Sequence, residues 1–140
     1  MKVIEMKKIL LCYLLVSGGM LCIPNSSFSQ VSNQEKVTHF LNEVYLNCPQ
    51  YVDSIHISRG VEFFERLKIH TIAIGEYPEC LLLSSVPLKN KCNDGLTNDV
   101  TQFDWDSFNP FKYLFSFYST QTAFYRVDGT EFIIEISPVK

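Results

Sequence analysis

Three cysteines, three histidines and a run of aromatic rings set among acids are the side chains of this sequence with chemistry to offer. Beyond residue 30 the thiols are Cys48, Cys80 and Cys92, and the imidazoles are His39, His56 and His70. A thiolate nucleophile needs a base within hydrogen-bond reach, and no local signature pairs any of these residues. Cys48 with His56 and His70 supplies ligand types for a metal. However, no HxxxH or CxxC spacing occurs, so no metal site and no cofactor is expected. Asn93, Asp94 and Gly95 with Asn98 and Asp99 lack the alternating oxygen order of a calcium loop. Glu62 with Glu65, and Asp104 with Asp106, are carboxylate pairs of a kind common in polar segments. They carry no argument for hydrolysis by themselves.

The aromatic run is the stronger candidate. Phe103, Trp105, Phe108, Phe111 and Tyr113 lie beside Asp104, Asp106 and Asn109. Flat apolar faces with polar edges suit a carbohydrate, another small molecule or a protein partner. The competing account is core filling, because a chain that is 14% aromatic must bury many of its rings. Trp105, between two aspartates, is expected at the surface. The candidate binding set is Asp104, Trp105, Asp106 and Phe108, joined by Phe124 and Ile133 from a hairpin downstream.

These groups need a compartment and a scaffold. The chain opens with Lys2, Lys7 and Lys8, then the apolar run Ile9 to Val16, then Ser27-Phe28-Ser29 with small residues where a signal peptidase cuts. That pattern predicts a secretory signal peptide over residues 1–29 and a single domain over 30–140. Ser17, Gly18 and Gly19 interrupt the apolar run, which falls short of a membrane span. Cys22 follows Met20 and Leu21, which are not the small residues a lipidation site prefers. Removing three Lys and one Glu with the leader takes the net charge from −3 to −5. An acidic domain with three Arg has no footprint for nucleic acid or for an anionic membrane. Export to a secreted or periplasmic location would allow one disulfide among the three remaining thiols. Cys80 with Cys92 is favoured, since both flank a polar loop.

Ser32 and Glu35 form a capping box, and Val37, Phe40, Leu41, Val44 and Cys48 follow at helical spacing. The pattern predicts a helix over Asn33 to Asn47 that ends before Pro49. Ser54 to Ser58, SIHIS, alternates and reads as a short strand. Val61 to Lys68 fits helix or strand, with a short helix preferred. Ile69 to Ile74 and Cys80 to Val86 read as strands joined in a hairpin by Gly75 to Glu79. Pro87 to Gln102 reads as a long surface loop. Asn109-Pro110 predicts a short helix with Asn109 as N-cap and Pro110 in the first position. Leu114 to Ser119 reads as a strand with Phe115 and Phe117 facing inward.

The last signal is the sharpest. Asp128-Gly129 between alternating runs predicts a two-residue type I′ turn. Val127 then faces Thr130, Arg126 faces Glu131, Tyr125 faces Phe132, Phe124 faces Ile133 and Ala123 faces Ile134. One face carries Ala123, Tyr125, Val127, Phe132, Ile134 and Ile136, and is apolar. The other carries Arg126 and Glu131 as an ion pair, with Phe124 and Ile133 as an apolar spot.

The sum is an α+β domain, with an N-terminal helix packed on a largely antiparallel sheet that ends in a C-terminal β-hairpin. The expected role is a non-catalytic module binding a ligand or partner. The alternatives are a small enzyme with a pocket between helix and sheet, and a structural or inhibitory domain acting through the 87–102 loop.

Overall fold

The computed structural model describes residues 32–73, 75–76 and 78–140. The leader expected over residues 1–29 lies outside the described residues. Two α-helices and a four-stranded mixed sheet make an α+β fold.

Helix α1 is Asn33–Val44. Ser32 Oγ accepts from the Glu35 N–H at 3.3 Å, and the Glu35 carboxylate accepts from the Ser32 N–H at 3.0 Å. Both arms of the capping box are therefore made. Val37, Phe40, Leu41 and Val44 are buried along one stripe. The helix stops at Val44, three residues before the expected end, and Pro49 then opens a 3-10 turn over Pro49–Tyr51.

Helix α2 is Ser54–Arg66, and it corrects the strand expected at SIHIS. The five-residue alternation also fits a helix, and the N-cap decides between them. Asp53 accepts from the His56 N–H at 2.8 Å, which satisfies one of the open donors of a first turn. Gly60 brings α2 against α1. A Cβ at that position would lie 2.7 Å from Val37 Cγ1.

Strand β1 is Leu67–Thr71, β2 is Leu81–Leu82, β3 is Ala123–Arg126 and β4 is Phe132–Ile136. Their order is β1-β4-β3-β2, with β1/β4 and β3/β4 antiparallel and β2/β3 parallel. No hairpin joins β1 to β2, contrary to expectation, because these strands occupy opposite edges. Strand β1 starts earlier than predicted. Leu67 lies opposite Ile136 and Ile69 opposite Ile134, so those side chains join the core face. The expected strand over Cys80–Val86 keeps only Leu81 and Leu82, then turns into a 3-10 helix over Leu83–Ser85 that buries Leu83.

The hairpin forms with its faces as predicted and its register displaced by two residues. Tyr125 lies opposite Ile134 and Ala123 opposite Ile136. A shift of two preserves the side-chain period, so Tyr125, Val127, Ile134 and Ile136 are all buried. Arg126 now faces Ile133 rather than Glu131, and Glu135 faces Phe124. The turn is longer than type I′. Gly129 has φ +67°, whereas no non-glycine among the described residues has positive φ. The Val127 N–H donates to the Phe132 carbonyl at 3.0 Å across it. Asp128 is recruited elsewhere: its carboxylate accepts from the N–H and hydroxyl of Ser84.

The core lies between the helices, this sheet face and the long connection from β2 to β3. Leu114 to Ser119 is not a strand. Leu88 and Tyr113 form an isolated antiparallel bridge, and the chain beyond it packs by its rings. The Phe115 ring lies tilted 4.5 Å from Tyr125 and the Phe117 ring tilted 4.2 Å from Phe63. The Asn109-Pro110 prediction holds, as Asn109 caps the 3-10 helix Pro110–Lys112 by accepting from the Phe111 N–H at 3.0 Å.

Candidate functional site

The predicted binding set is dispersed by the fold. Trp105 is 57% exposed, as expected. Asp104 and Asp106 are exposed beside it, and their loop is satisfied internally. Asp104 accepts from the Asp106 N–H at 3.2 Å and from the Ser107 hydroxyl at 2.8 Å. Those bonds hold the Asp104 carboxyl below the usual carboxylate range. Phe108 and Ile133 are buried and offer no surface, while Phe124 is half-buried. Phe103, Phe111 and Tyr113 pack into the core cluster with Phe108. Core filling thus accounts for the aromatic run apart from Trp105.

The disulfide expectation is corrected too. Cys92 bonds Cys48, with Cα atoms 5.5 Å apart, and Cys80 is free and half-buried. Two hydrogen bonds run parallel to that link: the Asn47 N–H donates to the Cys92 carbonyl at 3.0 Å, and Asn93 Nδ2 donates to the Glu43 carbonyl at 2.8 Å. The end of α1 therefore reaches the loop at Cys92, whereas Cys80 is held at the sheet edge just before β2. Closing a 44-residue separation restricts the unfolded chain by about 4 kcal/mol on the chain-entropy account.

The disulfide brings the 87–102 loop across the helices, and cavities form where they meet. A cavity of 270 Å³ is walled by Leu41 of α1 and its C-cap Tyr45, by His56, Arg59, Gly60 and Phe63 of α2, and by Lys89, Phe111, Phe117 and Tyr118. A second, of 590 Å³, shares Tyr45, His56 and Lys89 with the first. Tyr51, Leu88, Lys91, Cys92 and Leu114 also line it. A third, of 350 Å³, shares Arg59, Phe63, Phe117 and Tyr118 with the first and adds Glu62, Arg66 and Val139. None of the six residues predicted as a binding set lines these cavities.

Helical spacing supplies most of the wall. His56, Arg59, Gly60 and Phe63 sit at i, i+3, i+4 and i+7, a single face of α2. Asp53 anchors the first of them. Its Oδ1 accepts the His56 backbone N–H and also lies 2.8 Å from His56 Nδ1. These backbone and ring contacts hold the Asp53 carboxyl below its ordinary value. They engage Nδ1 and leave Nε2 as the ring nitrogen for a cavity occupant. The Tyr51 ring stands edge-on to His56 at 6.1 Å and 5.6 Å from Tyr45. Burial, with Tyr51 nearby, pushes the Tyr45 phenol up.

Lys89 supplies the opposite wall. The bridge between Leu88 and Tyr113 positions it, since the Lys89 N–H donates to the Lys112 carbonyl at 2.7 Å and the Leu114 N–H to the Pro87 carbonyl at 2.9 Å. Its Nζ rests 4.2 Å from the centroid of the Phe117 ring. Among the described residues no carboxylate pairs with it, and burial pushes its ammonium down to about 8.

The charge of these walls opposes that of the chain. The protein carries −3 overall, yet Arg59, Lys89 and Lys91 face the two cavities that share Tyr45. Among the described residues no carboxylate lines either one. Five aromatic residues, Tyr45, Phe63, Phe111, Phe117 and Tyr118, wall the first. Such a concavity suits a small anion with a flat apolar body. Sequence reasoning missed this site because it read SIHIS with period two. Asp53 as N-cap, with His56, Arg59, Gly60 and Phe63 at helical spacing, was the available signal. Lys89 carried no signal in the sequence.

No protein-family model, curated protein or solved structure matches the chain.

Proposed function

We propose that this protein is an exported binding module for small aromatic anions, held in the cavities between α2 and the segments at Lys89 and Phe117. The observation that carries this reading is the reversal of charge, in which an acidic chain lines an aromatic concavity with cationic side chains and, among the described residues, with no carboxylate. Arg59 offers a planar donor fork suited to a carboxylate, and Lys89 offers a second positive charge over a ring. The aromatic walls supply apolar area for the body of the ligand. Export rests on the leader pattern and agrees with the Cys48–Cys92 disulfide, a bond that persists in oxidising compartments.

Calorimetric titration tests the reading with three probes of one shape: 4-methylbenzoate, 4-methylbenzamide and 4-methylbenzylammonium. The benzoate should bind saturably, the amide more weakly and the cation not at all. Arg59→Gln with Lys89→Gln should weaken benzoate binding at least about tenfold, the scale of one charge-assisted hydrogen bond. Equal binding of all three probes, or no binding of the benzoate, would refute the proposal. Amino-terminal sequencing of the exported protein should begin at Gln30.

A further inference from the structure

We propose that Lys89 captures carbonyl-bearing aromatic anions covalently, as an imine formed inside this cavity. The inference rests on the binding reading above and adds chemistry to it. Three observations carry it. Lys89 Nζ lies against a ring face, 4.2 Å from the Phe117 centroid, and not against an acid. A half-buried lysine without a counter-charge gives up its proton more readily than a fully solvated one, and the neutral amine is the nucleophile. This side chain follows that rule, with its ammonium pushed down to about 8. His56 shares both cavities with Lys89 and has Nδ1 engaged by Asp53, so its other nitrogen can carry a proton between solvent and the reacting atoms.

The step balances without an oxidant or reductant. The neutral Nζ attacks the carbonyl carbon and a C–N bond forms. The carbonyl oxygen takes a proton and the nitrogen loses one, giving a carbinolamine. A second proton, delivered through the His56 ring, turns the hydroxyl into water; the nitrogen lone pair expels it, the C–O bond breaks and a C=N bond forms, and the resulting iminium returns that proton to leave the imine. The net change is amine plus aldehyde to imine plus water. Arg59 stays protonated throughout and is placed to hold the carboxylate, which would orient the carbonyl toward the opposite wall where Lys89 sits.

The probe is 4-formylbenzoate, with 4-methylbenzoate as the analogue that lacks a carbonyl. The full chain is incubated with 4-formylbenzoate and cyanoborohydride near pH 7.5, and the product is read by intact mass and peptide mapping. A single reduced adduct on Lys89 is expected, suppressed by excess 4-methylbenzoate. Lys68→Arg removes an exposed amine on β1, away from these cavities, and should leave the adduct unchanged. Lys89→Arg keeps the positive charge and should abolish the adduct. A circular dichroism spectrum and a urea midpoint like those of the wild type show that this variant has folded. Adducts spread over surface lysines, with the yield unchanged in Lys89→Arg, would overturn the proposal. So would binding of 4-methylbenzoate with no adduct from the aldehyde, which leaves the binding reading intact. Failure of both probes to bind would overturn both.

Discussion

Lys112 and Lys89 are joined by a backbone hydrogen bond of 2.7 Å, yet their side chains meet opposite fates. Lys112 is buried, with Asp99 at 2.9 Å and Glu43 at 3.3 Å. Burial alone would lower its ammonium, but the two carboxylates hold it above the ordinary lysine value. Asn109 Nδ2 donates to that same Glu43 carboxylate at 2.8 Å, and the Asp99 N–H donates to the Tyr113 hydroxyl at 2.9 Å. Lys112 therefore closes a network that ties α1, the 98–99 turn and the Asn109 cap together. Lys89, across the bridge, faces rings and a cavity. A paired buried charge is scaffold, whereas an unpaired one at a cavity wall is open to a ligand.

The contrast can be broken first on the scaffold side. Cys48→Ser with Cys92→Ser should lose about 2–5 kcal/mol in urea unfolding, since the link reaches from α1 to the loop that carries Lys89. Lys112→Met should cost about 3 kcal/mol, because it strands Asp99 and Glu43 near a buried site. A loss below about 1 kcal/mol would make Lys112 an ordinary surface ion pair and would erase the contrast. Gly60→Ala should cost about 1–3 kcal/mol by overpacking, as the new methyl meets Val37 Cγ1 between α1 and α2.

The cavity side should respond in the opposite direction. Lys89→Met should raise stability at pH 7 by about 1 kcal/mol, the relieved burial exceeding the lost contact with Phe117. The pH dependence sharpens this. The folded-state value for Lys89 is about 8, below the usual 10.5, so the unfolded state binds more protons between them. Wild-type stability should therefore rise relative to Lys89→Met as pH increases from 7 to 9.5, by about 2 kcal/mol. A parallel pair of stability curves would show that Lys89 is solvated. The smallest expected effect is Asp53→Ala, about 1 kcal/mol of lost capping. It should also release the His56 ring, detectable as a change in its NMR chemical shifts.

Much of the fold was legible wherever a hydrogen bond closes within a few residues. Ser32 with Glu35 announced α1, and Asn109 with Pro110 announced the 3-10 turn. The alternation from Ala123 to Ile136 assigned the faces of the hairpin. The site was not legible, because each of its walls depends on a distant partner. Lys89 gains its place from a bridge between Leu88 and Tyr113, and His56 gains its face only once Ser54–Arg66 is known to be helical.

Sequence alone determined an α+β domain with a capped first helix and a C-terminal hairpin whose apolar face is inward. Those features follow from local capping and from side-chain periods of 3.6 and 2. Tertiary structure decided the partner of Cys92, the two-residue shift of the hairpin and the position of Lys89. Asp128 could have cornered a tight turn, but Ser84 lies within its reach and takes its carboxylate. Cys92 could have closed on Cys80, but the end of α1 brings Cys48 nearer. In each case a local preference of a few kcal/mol or less met a long-range contact of similar size, and the packed chain made the choice.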